Sequence, residues 1–350
     1  MAKKRDTNIE LLRILCIIMI ILLHAIGFNH CCIGISGTIL GCIGNCGVTI
    51  FILISGYYGI RFNPQKLFHL RNIASLYLLI ALLFELYTHR PVSGNNIFSV
   101  FFPIISGKYW FLTCYSLLVI LSPYINRLLN VLSHNTLKTL TFTLILLFFG
   151  IPTFFKHDFL FADGKNIICM ISVYIFGRYI AQAQISERCR TAPLLITFFV
   201  AISTIVLLGY LHQIKGFTQS LSANHLVYHL AADNSILILI ASASLFLLFS
   251  RIHFHNKVIN QIAQSVFAVY IMEWFARPFL LQYINISSLN PFIRPLATIG
   301  FAIVIFTLCA TIDQFRMLIT SNIERRFESF ECALFEKAKN KTKLILQRCP

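Results

Sequence analysis

About ten apolar runs, each able to cross a ~30 Å hydrocarbon core as a helix, divide this chain at regular intervals. They cover 9–28, 38–59, 72–88, 107–126, 137–155, 166–182, 193–212, 233–250, 260–282 and 296–319. Backbone in lipid must satisfy its own hydrogen bonds, so runs of this length become helices. The ten-residue alternation of an outer-membrane barrel is missing. Composition agrees, with 57% hydrophobic and 12% charged residues. The expected fold class is all-α: a polytopic integral membrane protein with about ten transmembrane helices. Arg13 interrupts the first run and no small-x-small site follows it, so a cleavable signal is not expected.

Charge sets the orientation. With Lys3, Lys4 and Arg5 in the cytoplasm, the inner loops receive Arg61, Lys66, Arg71, Arg127, Lys138, Arg178, Arg251 and the cations from Arg316 to Arg348. Arg90, Lys108, Lys156, Lys165, Lys215, Arg277 and Arg294 fall outside. About three basic residues lie inside for each one outside, which places both termini in the cytoplasm; the expected location is the cell inner (plasma) membrane. This asymmetry accounts for the net charge of +16, and no nucleic-acid partner is needed. Residues 1–321 form the expected membrane domain, and 322–350 a basic amphipathic tail. Ile323, Phe327, Phe330 and Leu334 share one face of that tail and suit the inner leaflet.

Two side chains in the first run are unsuited to lipid. Arg13 and His24 are separated by about three helical turns, so they share a face, ~16 Å apart along the axis. Ionisable groups at membrane depth normally face a protein interior or a wet cavity. A snorkelling arginine and a structurally hydrogen-bonded histidine would fit the same positions. Four acids also fall within runs: Glu10, Glu85, Glu273 and Asp313. Glu10 stands one turn from Arg13 and is expected to pair with it. Counted from the inner ends of their runs, His24, Glu85 and Glu273 reach similar depths of ~20 Å. Either Glu85 or Glu273 would then be able to fix the tautomer of the imidazole, as a general base requires.

Other features have plainer readings. Eleven cysteines include Cys31, Cys32, Cys42 and Cys46 around the first outer loop. No C-x-x-C pair exists, and thiols serve as small apolar residues in such helices; a disulfide across the loop is the alternative. His225 and His229 have one-turn spacing but no further ligand nearby, so no metal site is expected. Gly37, Gly41, Gly44 and Gly47 permit close helix approach in the second run. Pro123 should leave a backbone carbonyl unpaired in the fourth. Walker A, His-Glu-x-x-His, Gly-x-Ser-x-Gly and Rossmann patterns are missing.

Asn8-Ile9-Glu10-Leu11-Leu12-Arg13 followed by His24 resembles the start of the membrane-bound acyltransferase-3 family. The resemblance continues through Gly47–Tyr57 and is strongest over Tyr109–Tyr115 and Leu121–Asn126. Gly177, Tyr179 and Ser265–Glu273 extend it across nearly the whole chain. It implies a ten-helix core that transfers an acyl group from acyl-CoA, usually acetyl-CoA, to a sugar hydroxyl of a surface glycan or its lipid-linked precursor. The histidine matching His24 is then catalytic and the arginine matching Arg13 its essential partner. No permanently bound cofactor is implied.

Two departures stand out. Relatives often carry Arg-x-x-Arg before the third helix, where this chain has Lys66-Leu67-Phe68-His69 and then Arg71, so Lys66 and Arg71 are candidate acyl-CoA contacts. Relatives also show Tyr-Leu-Ile-His where this chain has Tyr270-Ile271-Met272-Glu273. Glu273 either replaces a histidine at the acceptor site or marks a different acceptor. Tyr109, Trp110 and Ser55 are candidate donors to the thioester oxygen. The rival readings are a proton-coupled secondary transporter, for which paired broken helices and an internal repeat are missing, and a scaffold or sensor, which leaves the intramembrane charges without a role.

Overall fold

The computed structural model describes residues 6–89, 91–155, 163–214 and 229–346. Lys3, Lys4, Arg5, Arg90, Lys156, Lys215, His225 and Arg348 lie outside the described residues. The helices are α1 (Thr7–Gly27), α2 (Gly34–Tyr58), α3 (Pro64–Tyr87), α4 (Gly94–Phe101) and α5 (Trp110–Val131). Then come α6 (His134–Ile145), continued through a π turn into α7 (Ile151–Phe155), α8 (Ile167–Gln182), α9 (Ile185–Arg188) and α10 (Thr191–Ile214). The last four are α11 (Ile236–Ser250), α12 (Lys257–Ile262), α13 (Val266–Leu280) and α14 (Arg294–Leu346). No strand occurs among the described residues.

Among those residues, eight helices are long and apolar enough to cross a membrane. The other two expected runs take different forms. Residues 166–182 become the 16-residue α8, and 260–282 divide into α12, a 3-10 turn at Ala263–Ser265, and α13. Burial is inverted relative to a soluble protein. Leu79, Leu83, Phe199, Leu207, Phe315 and Leu318 are exposed, whereas Glu273, Arg277, Asp313 and Ser242 are buried. That pattern suits a lipid solvent and makes this an all-α polytopic membrane protein.

Local signals explain the helix ends. Asn63 accepts a hydrogen bond from Gln65 N at 2.9 Å and Pro64 sits in the first turn, so α3 starts well before the apolar run at 72. Asn166 caps α8 in the same way, accepting from Ile168 N and Cys169 N. Gly59, at φ 73°, ends α2 in a conformation that favours glycine. The carbonyl freed by Pro123 belongs to Val119, and it accepts the Ser122 hydroxyl at 2.7 Å. The expected break in α5 is thereby satisfied from the preceding residue.

α2 lies at the centre, packed on α1, α8, α10 and α11, while α1 also meets α13 and α14. Gly44 and Gly47 allow the α1 contact, since a Cβ on either would stand under 3.0 Å from α1 atoms. Gly41 faces open space and Gly37 faces its own preceding turn, so only half of the expected stripe is used between helices. The tightest crossing is elsewhere, between Gly56 of α2 and Gly177 of α8. A Cβ on Gly177 would stand 2.6 Å from Leu53 O, and one on Gly56 closer still to Tyr174 O. Gly56→Ala is expected to lower stability by about 1–3 kcal/mol through backbone displacement, read as a lower thermal midpoint in detergent. Cys31, Cys32, Cys42 and Cys46 are buried free thiols.

Candidate active site

α1, α2, α3, α5, α13 and α14 enclose a cavity of about 830 Å³. Arg13 and His24 both line it, as their shared helix face requires. Arg61, Lys66 and Arg325 join Arg13 around its basic mouth. Ile17, Ile20, Val48, Phe51, Phe111 and Tyr270 form an apolar wall inward from there.

The imidazole of His24 is held by a chain of polar groups. His24 Nδ1 donates to Glu273 Oε1 at 2.7 Å, and Arg277 Nε donates to Glu273 Oε2 at 3.0 Å. Arg277 also donates from Nη1 to Asn29 Oδ1. Glu273 is wholly buried and the Arg277 side chain is 3% exposed, so each ion has the other as its main compensation. The His24 side chain keeps 14% exposure. With Nδ1 engaged by a carboxylate, Nε2 is the nitrogen left to accept a proton. Trp274 and Phe28 pack on the ring at centroid distances of 5.2 and 5.5 Å, and Arg277 lies over both aromatic rings.

The remaining candidates divide. Arg13 donates to Glu10 at 3.1 Å, the pairing their spacing suggests. Lys66 and Trp110 line the cavity. Tyr109 does not: it is 2% exposed, and its hydroxyl donates to Ile271 O at 3.1 Å. Ser55 lines the cavity but donates to Phe51 O. Arg71 turns away to Asn72 and Glu331. Glu85 is not brought to His24; it accepts from Asn96 Nδ2 at 3.0 Å near the far end of α3. Because α3 begins at Pro64, Glu85 lies about 32 Å along it, past the level that counting from residue 72 suggests.

Arg277, read from sequence as an outer cation, is instead a buried partner of Glu273. Its spacing of one helical turn from Glu273 was the available signal. A second buried cluster was also missed. Tyr77 donates to Asp313 Oδ1 at 2.7 Å, Arg316 Nε donates to the same oxygen at 2.7 Å, and Arg316 Nη1 reaches Glu324. Burial opposes ionisation of Glu324, beyond the apolar run, yet hydrogen bonds from Arg316 and Thr320 hold its carboxyl below the usual range. Arg316 and Glu324 both line the cavity.

The family motifs have structural reasons. Asn8 Nδ2 donates to Phe249 O at 2.8 Å and ties α1 to α11. Asn126 Nδ2 donates to Ile60 O, while Tyr174 donates to Asn126 Oδ1 and accepts from Ile60 N. These bonds fix the segment after α2 that borders the mouth. The family profile described as an acyltransferase domain, that of acyltransferase-3, matches residues 6–313. No curated protein and no solved structure matches the chain significantly. The matched region carries Arg13, His24, Glu273 and Arg277 together, and over it the chain belongs to the acyltransferase-3 family of acyltransferases.

Proposed function

We propose that this acyltransferase moves an acyl group, most simply acetyl, from acyl-CoA to a hydroxyl of a surface glycan or its lipid-linked precursor. His24 is the general base. One observation carries the reading: a single cavity has cations at its mouth and, further in, an imidazole hydrogen-bonded to a buried carboxyl group. Coenzyme A has matching ends, joined by a pantetheine arm of about 16 Å when extended at standard bond lengths. Arg13 and His24 stand ~16 Å apart along α1.

The chemistry follows from these positions. Nε2 of His24 removes the proton from the acceptor hydroxyl as its oxygen attacks the thioester carbonyl. Glu273 stabilises the imidazolium that forms, and Arg277 holds Glu273 in place. The tetrahedral adduct expels the CoA thiolate, which takes the proton back from His24, giving an ester and a thiol. Trp110 is the donor for the developing oxyanion. Arg13, Arg61 and Lys66 take the phosphate end of the donor. Lys66→Ala should raise the KM for acetyl-CoA about tenfold, equivalent to about 1.4 kcal/mol, and change kcat little. An unchanged KM would remove Lys66 from the donor site. The mouth faces the cytoplasm, where both termini also lie, and the membrane is the cell inner membrane.

The test is transfer in proteoliposomes. Labelled acetyl-CoA supplied at the basic face, with a lipid-linked saccharide present, should give labelled saccharide and one free thiol per acetyl group. Saccharide movement driven by a proton gradient, with no thiol released, would restore the transporter reading.

A further inference from the structure

The wall of the cavity is finished by a part of the chain beyond the family match. That match ends at 313, yet Arg316, Met317, Ser321, Glu324, Arg325 and Glu328 all line the cavity. They lie on α14, and the stretch 328–335 of that helix docks on the start of α3. His69 Nδ1 is 2.6 Å from Glu328 Oε1, Asn72 Nδ2 donates to Glu331 Oε2 at 3.0 Å, and Phe68 packs on Phe335. Arg71 adds an ion pair to Glu331. Glu328, Glu331 and Phe335 span about two helical turns but reach only the short stretch 68–72 of α3.

Among the described residues, another edge of the same helix is left exposed. Phe315, Leu318 and Ile319 are 62%, 76% and 75% exposed at the inner end of the apolar run. The edge continues without a break through Ile323, Phe327, Phe330 and Leu334, which are 69%, 53%, 60% and 50% exposed. At ~100° per residue these side chains share an arc of roughly 180°, or roughly 120° without Leu318. Arg326 and Lys337 lie within that arc, and Arg325 and Lys339 stand on other faces of the same exposed helix. An apolar strip continuous with a lipid-facing surface, and studded with cations, fits an anionic bilayer surface.

We propose that this edge seats the tail on anionic lipid, and that lipid binding thereby holds the donor-side wall of the cavity in place. The coupling runs through one helix. Lipid takes the edge from Phe315 to Leu334, while the other face presents Glu324 and Glu328 to the cavity and clamps α3. That the occupant of the cavity is an acyl-CoA rests on the function proposed above; the seat itself does not.

Hydrogen exchange on the full chain in nanodiscs tests the seat. Discs of phosphatidylcholine alone are compared with discs containing a third phosphatidylglycerol. Exchange over 321–335 and over 64–72 should be at least fivefold slower with the anionic lipid. The variant Phe327→Ser with Phe330→Ser should lose that difference in both segments and raise the KM for acetyl-CoA at least fivefold, with kcat little changed. Equal exchange in the two lipids, or protection of 321–335 without 64–72, would overturn the proposal. So would protection that appears in detergent only as a dimer forms, which assigns the edge to a second copy of the chain. A parent chain that shows lipid-dependent protection but binds no acetyl-CoA would keep the seat and remove the donor reading.

Discussion

His24→Ala is expected to lower acyl transfer by about 10²–10⁴-fold while leaving the fold intact. The ring is 2.7 Å from Glu273 and lines the cavity, so on the proposed reaction its loss removes the group that takes the hydroxyl proton. A sugar hydroxyl is a weak nucleophile, and thiolate departs without acid help, so proton removal is the step most in need of assistance. The affinity for acetyl-CoA should change little, because the cations of the mouth are untouched. Initial rates and donor binding measured on the same preparation separate the two effects. A His24→Ala protein that transfers as fast as the parent would remove this histidine from the reaction.

The second large effect concerns the ion pair behind the histidine. Arg277→Leu leaves Glu273, which is wholly buried, without its compensating cation, and should lower stability by about 3–5 kcal/mol. Combining it with Glu273→Leu removes both charges and should restore most of that loss. Activity should not return. Without the carboxylate nothing selects the Nδ1–H tautomer, and transfer is expected to stay down by about 10²-fold or more. Thermal unfolding in detergent and initial rates check the two parts. A double variant as unstable as Arg277→Leu alone would show that the pair does not compensate itself.

The placing of Arg13 and His24 on one cavity wall was readable because helical periodicity is fixed by the backbone. The acid that meets His24 was not, since depth counted along separate helices depends on where each begins. Glu85 illustrates this. The apolar run starts at 72, but Asn63 and Pro64 carry the helix start, and that signal outranks hydropathy. Arg277 was readable from its one-turn distance to Glu273, yet its position near a span end made it look like a loop cation. The tail was read as an amphipathic segment of its own. It continues as part of α14 because no glycine follows Gly300 and no proline intervenes before Pro350. Docking of Glu328 and Glu331 on α3 joins sites far apart in sequence, and no local pattern announces it.

On the proposed reaction, a thioester seated at His24 has travelled about 25 Å along α1 from Thr7, most of a ~30 Å hydrocarbon core. Its nucleotide meanwhile stays beside Arg13. In that proposal the donor's own flexible tether carries the acyl group toward the far end of α1 while the bulky nucleotide stays at the mouth of the cavity.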